Sequence, residues 1–122
     1  MANKIVHWEL MGPDADALSA FYAELFDWKG EAVPGFDGYN MVHADQAGVG
    51  GAVGKGNEHM PQYQAIYVEV EDVNTHLGKA ESAGGTTVVP RTVIPGMVTF
   101  GLFTDPAGNL VGIVEAGIPP AE

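Results

Sequence analysis

The chain of 122 residues contains no cysteine, which excludes disulfides and thiolate chemistry and removes one guide to its compartment. It is also poor in positive charge. Five Lys and Arg stand against 16 Asp and Glu, a formal net charge of −11 at pH 7. Nothing in that inventory supplies a basic patch, so no nucleic-acid partner is expected. An acidic field attracts cations and repels anionic metabolites. Its plainer role is solubility, because Glu24, Asp27, Glu31 and Glu81 fall where a solvated helix face or loop is expected. No apolar run approaches the roughly 20 residues of a membrane helix, so no membrane partner is expected either. The opening MANKIVHWEL lacks a signal-peptide core and enters strand pattern at once, which makes the cytoplasm the expected location.

What is present is a repeat. HWELMGPDADALSAFY from His7 and AIYVEVEDVNTHLGKA from Ala65 each read as an alternating strand, an acidic turn and a helix. Asp14 and Asp72 occupy matching places, 58 residues apart (72 − 14). DQAGVGGAV from Asp45 and DPAGNLVGIV from Asp105 match at a shift of 60 (105 − 45). Such a period marks one supersecondary unit used twice. Each position in one half therefore has a partner in the other, and His7 is partnered by Ala65.

Residues 4–11 alternate, with Val6, Trp8 and Leu10 on one side and Ile5, His7, Glu9 and Met11 on the other. Gly12, Pro13 and Asp14 break the strand, and Asp14 or Asp16 is placed to cap a helix. Leu18, Phe21, Tyr22, Leu25 and Phe26 recur at helical spacing and predict that helix near 15–26. Strands are expected near 28–33, 38–43 and 49–54, punctuated by glycine-bearing turns. Past the polar stretch GKGNEHMPQ, residues 64–71 alternate again, with Ile66, Val68 and Val70 opposite Ala65, Tyr67 and Glu69. A weaker helix near 73–83 ends at Gly84-Gly85, and strands follow near 86–90, 97–104 and 109–115. The chain thus reads as α+β, two βαβββ repeats in a single domain over 1–117. Unit one spans 3–54, a linker 55–62, unit two 63–116 and a frayed tail 118–122.

On the strength of HWELMGPDADALSAFYAELFDW in the first half and YVEVEDV, AGG and FTDPAGNLVGIVE in the second, the chain resembles the vicinal oxygen chelate superfamily. That superfamily includes glyoxalase I, bleomycin-resistance proteins and extradiol dioxygenases; this chain looks like one of its small bacterial glyoxalase-like members. The resemblance implies a U-shaped, eight-stranded mixed sheet with helices on its outer face, a small-molecule site in the concave face, and a homodimer.

It also implies where a metal would sit, on the first and last strand of each unit. His7 holds the first of those positions, but its partner is Ala65, and the last-strand positions are Ala52 and Gly112. Three of four donors are missing, so neither a metal nor another cofactor is expected. His7 then reads as a hydrogen-bonded pocket histidine or as a metal-free general acid or base. A rearranged metal site drawing on Glu9, Glu69 or His43 is the third reading. His59 and His76 read as solvent-facing.

The expected ligand-binding residues are His7, Glu9, Tyr67 and Glu69, with Tyr39, Met41, Phe100 and Leu102 as apolar wall. An apolar cavity with a few convergent polar groups suits a small organic molecule, and two carboxylates favour a neutral or cationic one. Two functions remain open: a metal-free small-molecule binder, or a lyase, isomerase or dioxygenase-type enzyme with His7 and Glu9 as catalytic acid–base pair. A third, an accessory domain whose groove binds another protein, ranks below them.

Overall fold

The two acidic turns start helices because their aspartates satisfy backbone donors. In the structure, a computed structural model describing residues 2–121, Asp14 accepts from the amide of Ala17 at 3.0 Å and Asp72 from that of Thr75 at 3.4 Å. Residues 1 and 122, the outer ends of the expected domain and tail, lie outside the described residues.

Val6–Ala65 form one compact unit, and the chain on either side of that span forms the other. The N-terminal unit contains β1 (Ile5–Gly12), α1 (Ala15–Phe26), β2 (Glu31–Val33), β3 (Phe36–Val42), a short α2 (Ala44–Ala47) and β4 (Gly51–Lys55). Its strands lie in the order β2-β3-β4-β1, with β1 parallel to β4 and the other pairs antiparallel. The C-terminal unit contains β5 (Tyr63–Val70) from Ile66 onward, the first three residues of that strand belonging to the N-terminal unit, with α3 (Val73–Ser82), β6 (Thr86–Ile94), β7 (Val98–Thr104) and β8 (Leu110–Glu115). It repeats the plan in the order β5-β8-β7-β6, with β5 parallel to β8 and the rest antiparallel. The α+β class, the mixed sheet and the two βαβββ repeats follow the sequence reading.

Strand alternation decides which face each helix covers. In the N-terminal unit, Trp8 lies over Gly51, where any side chain would overlap its ring, and its indole donates to the Val49 carbonyl at 2.6 Å. Trp28 stands 5.0 Å from Trp8, stacks with Tyr22 of α1 and lies tilted against Phe26. The even positions of β1 therefore face α1. In the C-terminal unit, Val70, Val73, Leu77 and Ile113 form the buried core, with Val68 and Phe103 against it. Gly101 lets α3 approach, since a Cβ there would lie 2.9 Å from Val73.

Four details depart from the sequence reading. The α1 stripe is only partly covered: Phe21, Leu25 and Phe26 are each more than half exposed. α2 was unexpected, because a four-residue turn of helix has no periodicity to betray it. β6 runs through Pro90 to Ile94 instead of stopping there. It is the outer strand of its unit, where a missing ladder donor is tolerated, and its register shifts on both sides of Val89. The tail is held rather than frayed at its middle, since the Gly96 amide bonds the Pro119 carbonyl at 3.0 Å.

Candidate functional site

With Trp8 and Gly12 committed to α1, the odd positions of β1 present His7, Glu9 and Met11 on the helix-free face. Register carries that face across the sheet. Glu9 pairs with Ala52, which pairs with Met41; Met11 pairs with Gly54, which pairs with Tyr39. The small residues of β4 leave room above the sheet for long side chains of β3 to lean toward β1.

Tyr39 does so. Its hydroxyl donates to Glu9 Oε2 at 2.6 Å, and Tyr63, at the start of β5, donates to Glu9 Oε1 at 3.0 Å. Each carboxylate oxygen thus holds a phenol. His7 Nε2 lies 2.8 Å from the Tyr39 oxygen and 3.9 Å from Glu9 Oε2, and its ring stacks at 6.4 Å on that of Tyr39. The order of protons follows. Tyr39 uses its proton on Glu9, so His7 Nε2 must donate to Tyr39, and Nδ1 is the basic nitrogen of the neutral ring.

Glu9 is only 7% exposed. A buried carboxylate is costly unless hydrogen-bonded, and the two phenols supply that compensation. The cluster shifts its members in consistent directions. Burial, then the Glu9 charge and hydrogen bond, push the phenols of Tyr39 and Tyr63 well above their ordinary value of 10.0, so both stay protonated. Burial lowers the His7 pKa from 6.5, with Glu9 opposing. The result is a neutral imidazole beside an anion whose charge two phenols have dispersed.

Of the expected residues, His7, Glu9, Tyr39 and Met41 share this face of the N-terminal unit. Tyr67, Glu69, Phe100 and Leu102 belong to the C-terminal unit. There Tyr67 is buried with its ring over Gly112, Leu102 pairs with Gly112, and Phe100 lies two residues along on the same face. Glu69 is exposed. His43 caps α2 from the surface and bonds Glu31 at 2.9 Å. His76 is half-buried with Nδ1 enclosed, so it is not the solvent-facing residue its place on a polar helix predicts. Tyr63 was missed by sequence reasoning. Its signal was available: the alternation of Ala65, Tyr67 and Glu69 extends one step back to it.

The residues present do not fit the metal that the resemblance implies. Ala52 and Ala65 have no donor, the Tyr67 ring covers the place of a side chain at Gly112, and Glu9 already accepts two phenols. Among the described residues no three His, Cys, Asp or Glu converge to hold an ion.

Comparison with known proteins agrees with this architecture. A relative is the anthracycline biosynthesis protein DnrV of Streptomyces peucetius, 27% identical over 127 residues covering 91% of this chain and 46% of that protein. This chain spans about half the length of such curated relatives. A glyoxalase/bleomycin resistance protein/dioxygenase superfamily member from Vibrio splendidus 12B01 shares the fold at TM-score 0.63 and 13% identity, over 93% of this chain and 98% of that one. So does the Mn(II)-bound glyoxalase from Novosphingobium aromaticivorans, at TM-score 0.61 and 18% identity, over 99% of this chain and 42% of that one. The profile of one family matches residues 4–113, and on that match and this fold the chain belongs to the Glyoxalase/Bleomycin resistance protein/Dioxygenase superfamily.

Proposed function

We propose that the chain binds a small organic molecule, without a metal, on the helix-free face of its N-terminal unit. One observation carries this reading: Glu9, buried and doubly bonded by Tyr39 and Tyr63, organises His7 through Tyr39. Buried polar chains of this kind are costly unless every member is satisfied, and they rigidify the groups they include. His7 and Met41 then offer a ligand a fixed imidazole and an apolar wall. Tyr67, Phe100 and Leu102, with Glu69, give the C-terminal unit a second surface of similar make-up.

The ligand class is neutral or cationic. The Glu9 charge disfavours anions, but the phenols disperse it, so a cation gains less from it than from a bare carboxylate. Calorimetric screening of matched cationic, neutral and anionic compounds against wild type and Glu9→Gln tests this. We expect neutral and cationic compounds to bind and Glu9→Gln to weaken the cations more. Tighter binding of the anions, or affinities indifferent to Glu9→Gln, would overturn it.

A second reading is acid–base catalysis, favoured by the proton order. Nδ1 of His7 would take a proton while Nε2 stays anchored to Tyr39 and Glu9 stabilises the imidazolium that forms. We further propose a homodimer in the cytoplasm. A light-scattering mass of one chain at micromolar concentration would count against the dimer, and cell fractionation tests the location.

A further inference from the structure

The repeat provides an internal control for the space between each helix and its sheet. At the offset of 58 that aligns Asp14 with Asp72, Leu18, Phe21, Tyr22 and Leu25 of α1 are matched by His76, Lys79, Ala80 and Ala83 of α3. Both aspartates cap their helices, so the alignment holds in three dimensions as well as in sequence. Every one of the four replacements removes an apolar group, and two leave only a methyl.

Those same four residues line a cavity of about 370 Å³ in the C-terminal unit, floored by Val68 and Ile113. Side-chain volume that the N-terminal unit keeps in Tyr22, packed with Phe26 and Trp28, is absent here. An open apolar hollow of this size is within the range that holds a small ligand. Its polar members are few. Among the described residues His76 Nδ1 is enclosed without a hydrogen-bond partner, which is costly and calls for a ligand or ring rotation to satisfy it. Lys79 forms no ion pair within the described residues that competes for its ammonium. Asp105 also lines the cavity, but its carboxylate is engaged by the amides of Ala107 and Asn109 and by the Asn109 side chain. Asn3 donates to the Glu69 carbonyl.

We propose that this cavity is a binding site for a small arylcarboxylate: the ring takes the space that Tyr22 fills in the other unit, and the carboxylate meets Lys79 with His76 at its edge. An extended ligand does not suit it, because the walls are short, and Lys79, the charged side chain left for a head group, repels a cation; Asp105 remains a charged acceptor in the lining, held by its own loop. The site is separate from the His7 cluster and does not depend on the function proposed for that cluster.

The test is amide NMR of the full chain with benzoate, benzyl alcohol and benzylamine as probes, repeated on Lys79→Met and Ala80→Tyr. Benzoate should give saturable shifts at residues 79–83 and 111–113 and leave His7 unmoved. Benzylamine should bind about tenfold more weakly. Lys79→Met should cost benzoate about tenfold and bring it level with benzyl alcohol. Ala80→Tyr, which restores the residue of the other repeat, should abolish both; if that variant fails to fold, Ala83→Leu serves as the plug. No saturable shift at millimolar benzoate, benzylamine binding as tight as benzoate, or benzoate binding that survives a folded plug would each overturn the proposal. So would shifts of the cavity amides with protein concentration alone, since a second copy would then be the occupant.

Discussion

The two units share a backbone plan and differ in where they place their large and polar side chains. The N-terminal unit fills the layer between helix and sheet with Trp8, Tyr22 and Trp28 and keeps its polar groups, His7, Glu9 and Tyr39, on the other face. The C-terminal unit covers that other face with Tyr67 over Gly112 and leaves its helix layer with a cavity. Matched positions have exchanged roles: Glu9, accepting two phenols, corresponds to buried Tyr67. A duplicated unit therefore conserves strand order, caps and parallel pairing, which are set by backbone hydrogen bonds, while each face is free to specialise. Function must be sought unit by unit.

The comparison can be broken most severely at the C-terminal core, where Leu77 packs against Val70, Val73 and Ile113. Leu77→Ala should cost about 2–5 kcal/mol of stability in urea unfolding. Its counterpart in the repeat, Ser19→Ala, should change little, and equal losses would show that the two helix layers are not differently built. Next comes the polar cluster. Tyr39→Phe and Tyr63→Phe should each cost roughly 1–3 kcal/mol, because each leaves one oxygen of buried Glu9 without its donor. The double variant should depart from additivity, since both hydroxyls end on one carboxylate. Additive losses would mean the two contacts act independently.

The caps sharpen the comparison on a smaller scale. Asp14→Ala and Asp72→Ala should each cost about 0.5–2 kcal/mol, with Asp14 the larger because its contact is shorter, 3.0 Å against 3.4 Å. The smallest effect is on pH dependence. His7 has a folded pKa below 6.5. Its contribution to stability is therefore present above 6.5 and is lost as the pH falls from there through the folded value, because the unfolded chain takes up the proton first. Replacing His7 with Gln should flatten the stability curve in that window, and an unchanged slope would contradict the assigned direction.

Much of this was legible in the sequence because the governing rules are local. The period-two runs at Ile5 and Ala65, the aspartates before each helix and the Gly84-Gly85 stop all act within a few residues. The face carrying His7 and Glu9 followed from alternation alone. What was not legible depends on distance in the fold. Alternation places Tyr63 on the face of Ala65 and Tyr67, but its bond to Glu9 spans 54 residues of chain, and no local pattern announces that partner. The cavity at His76 arises from what Ala80 and Ala83 fail to fill, and a missing side chain leaves no periodic trace. β6 passes Pro90 because of its outer place in the sheet order, which a strand-by-strand reading does not contain.

The central claim is that the N-terminal unit orders a chain of hydrogen bonds from His7 through Tyr39 to Glu9, with Tyr63 closing it. The most direct measurement is the imidazole ¹⁵N spectrum of His7 at a pH where the ring is neutral. The account predicts the proton on Nε2, with that preference weakened in Tyr39→Phe. A neutral ring protonated on Nδ1, or a spectrum indifferent to Tyr39→Phe, would contradict it.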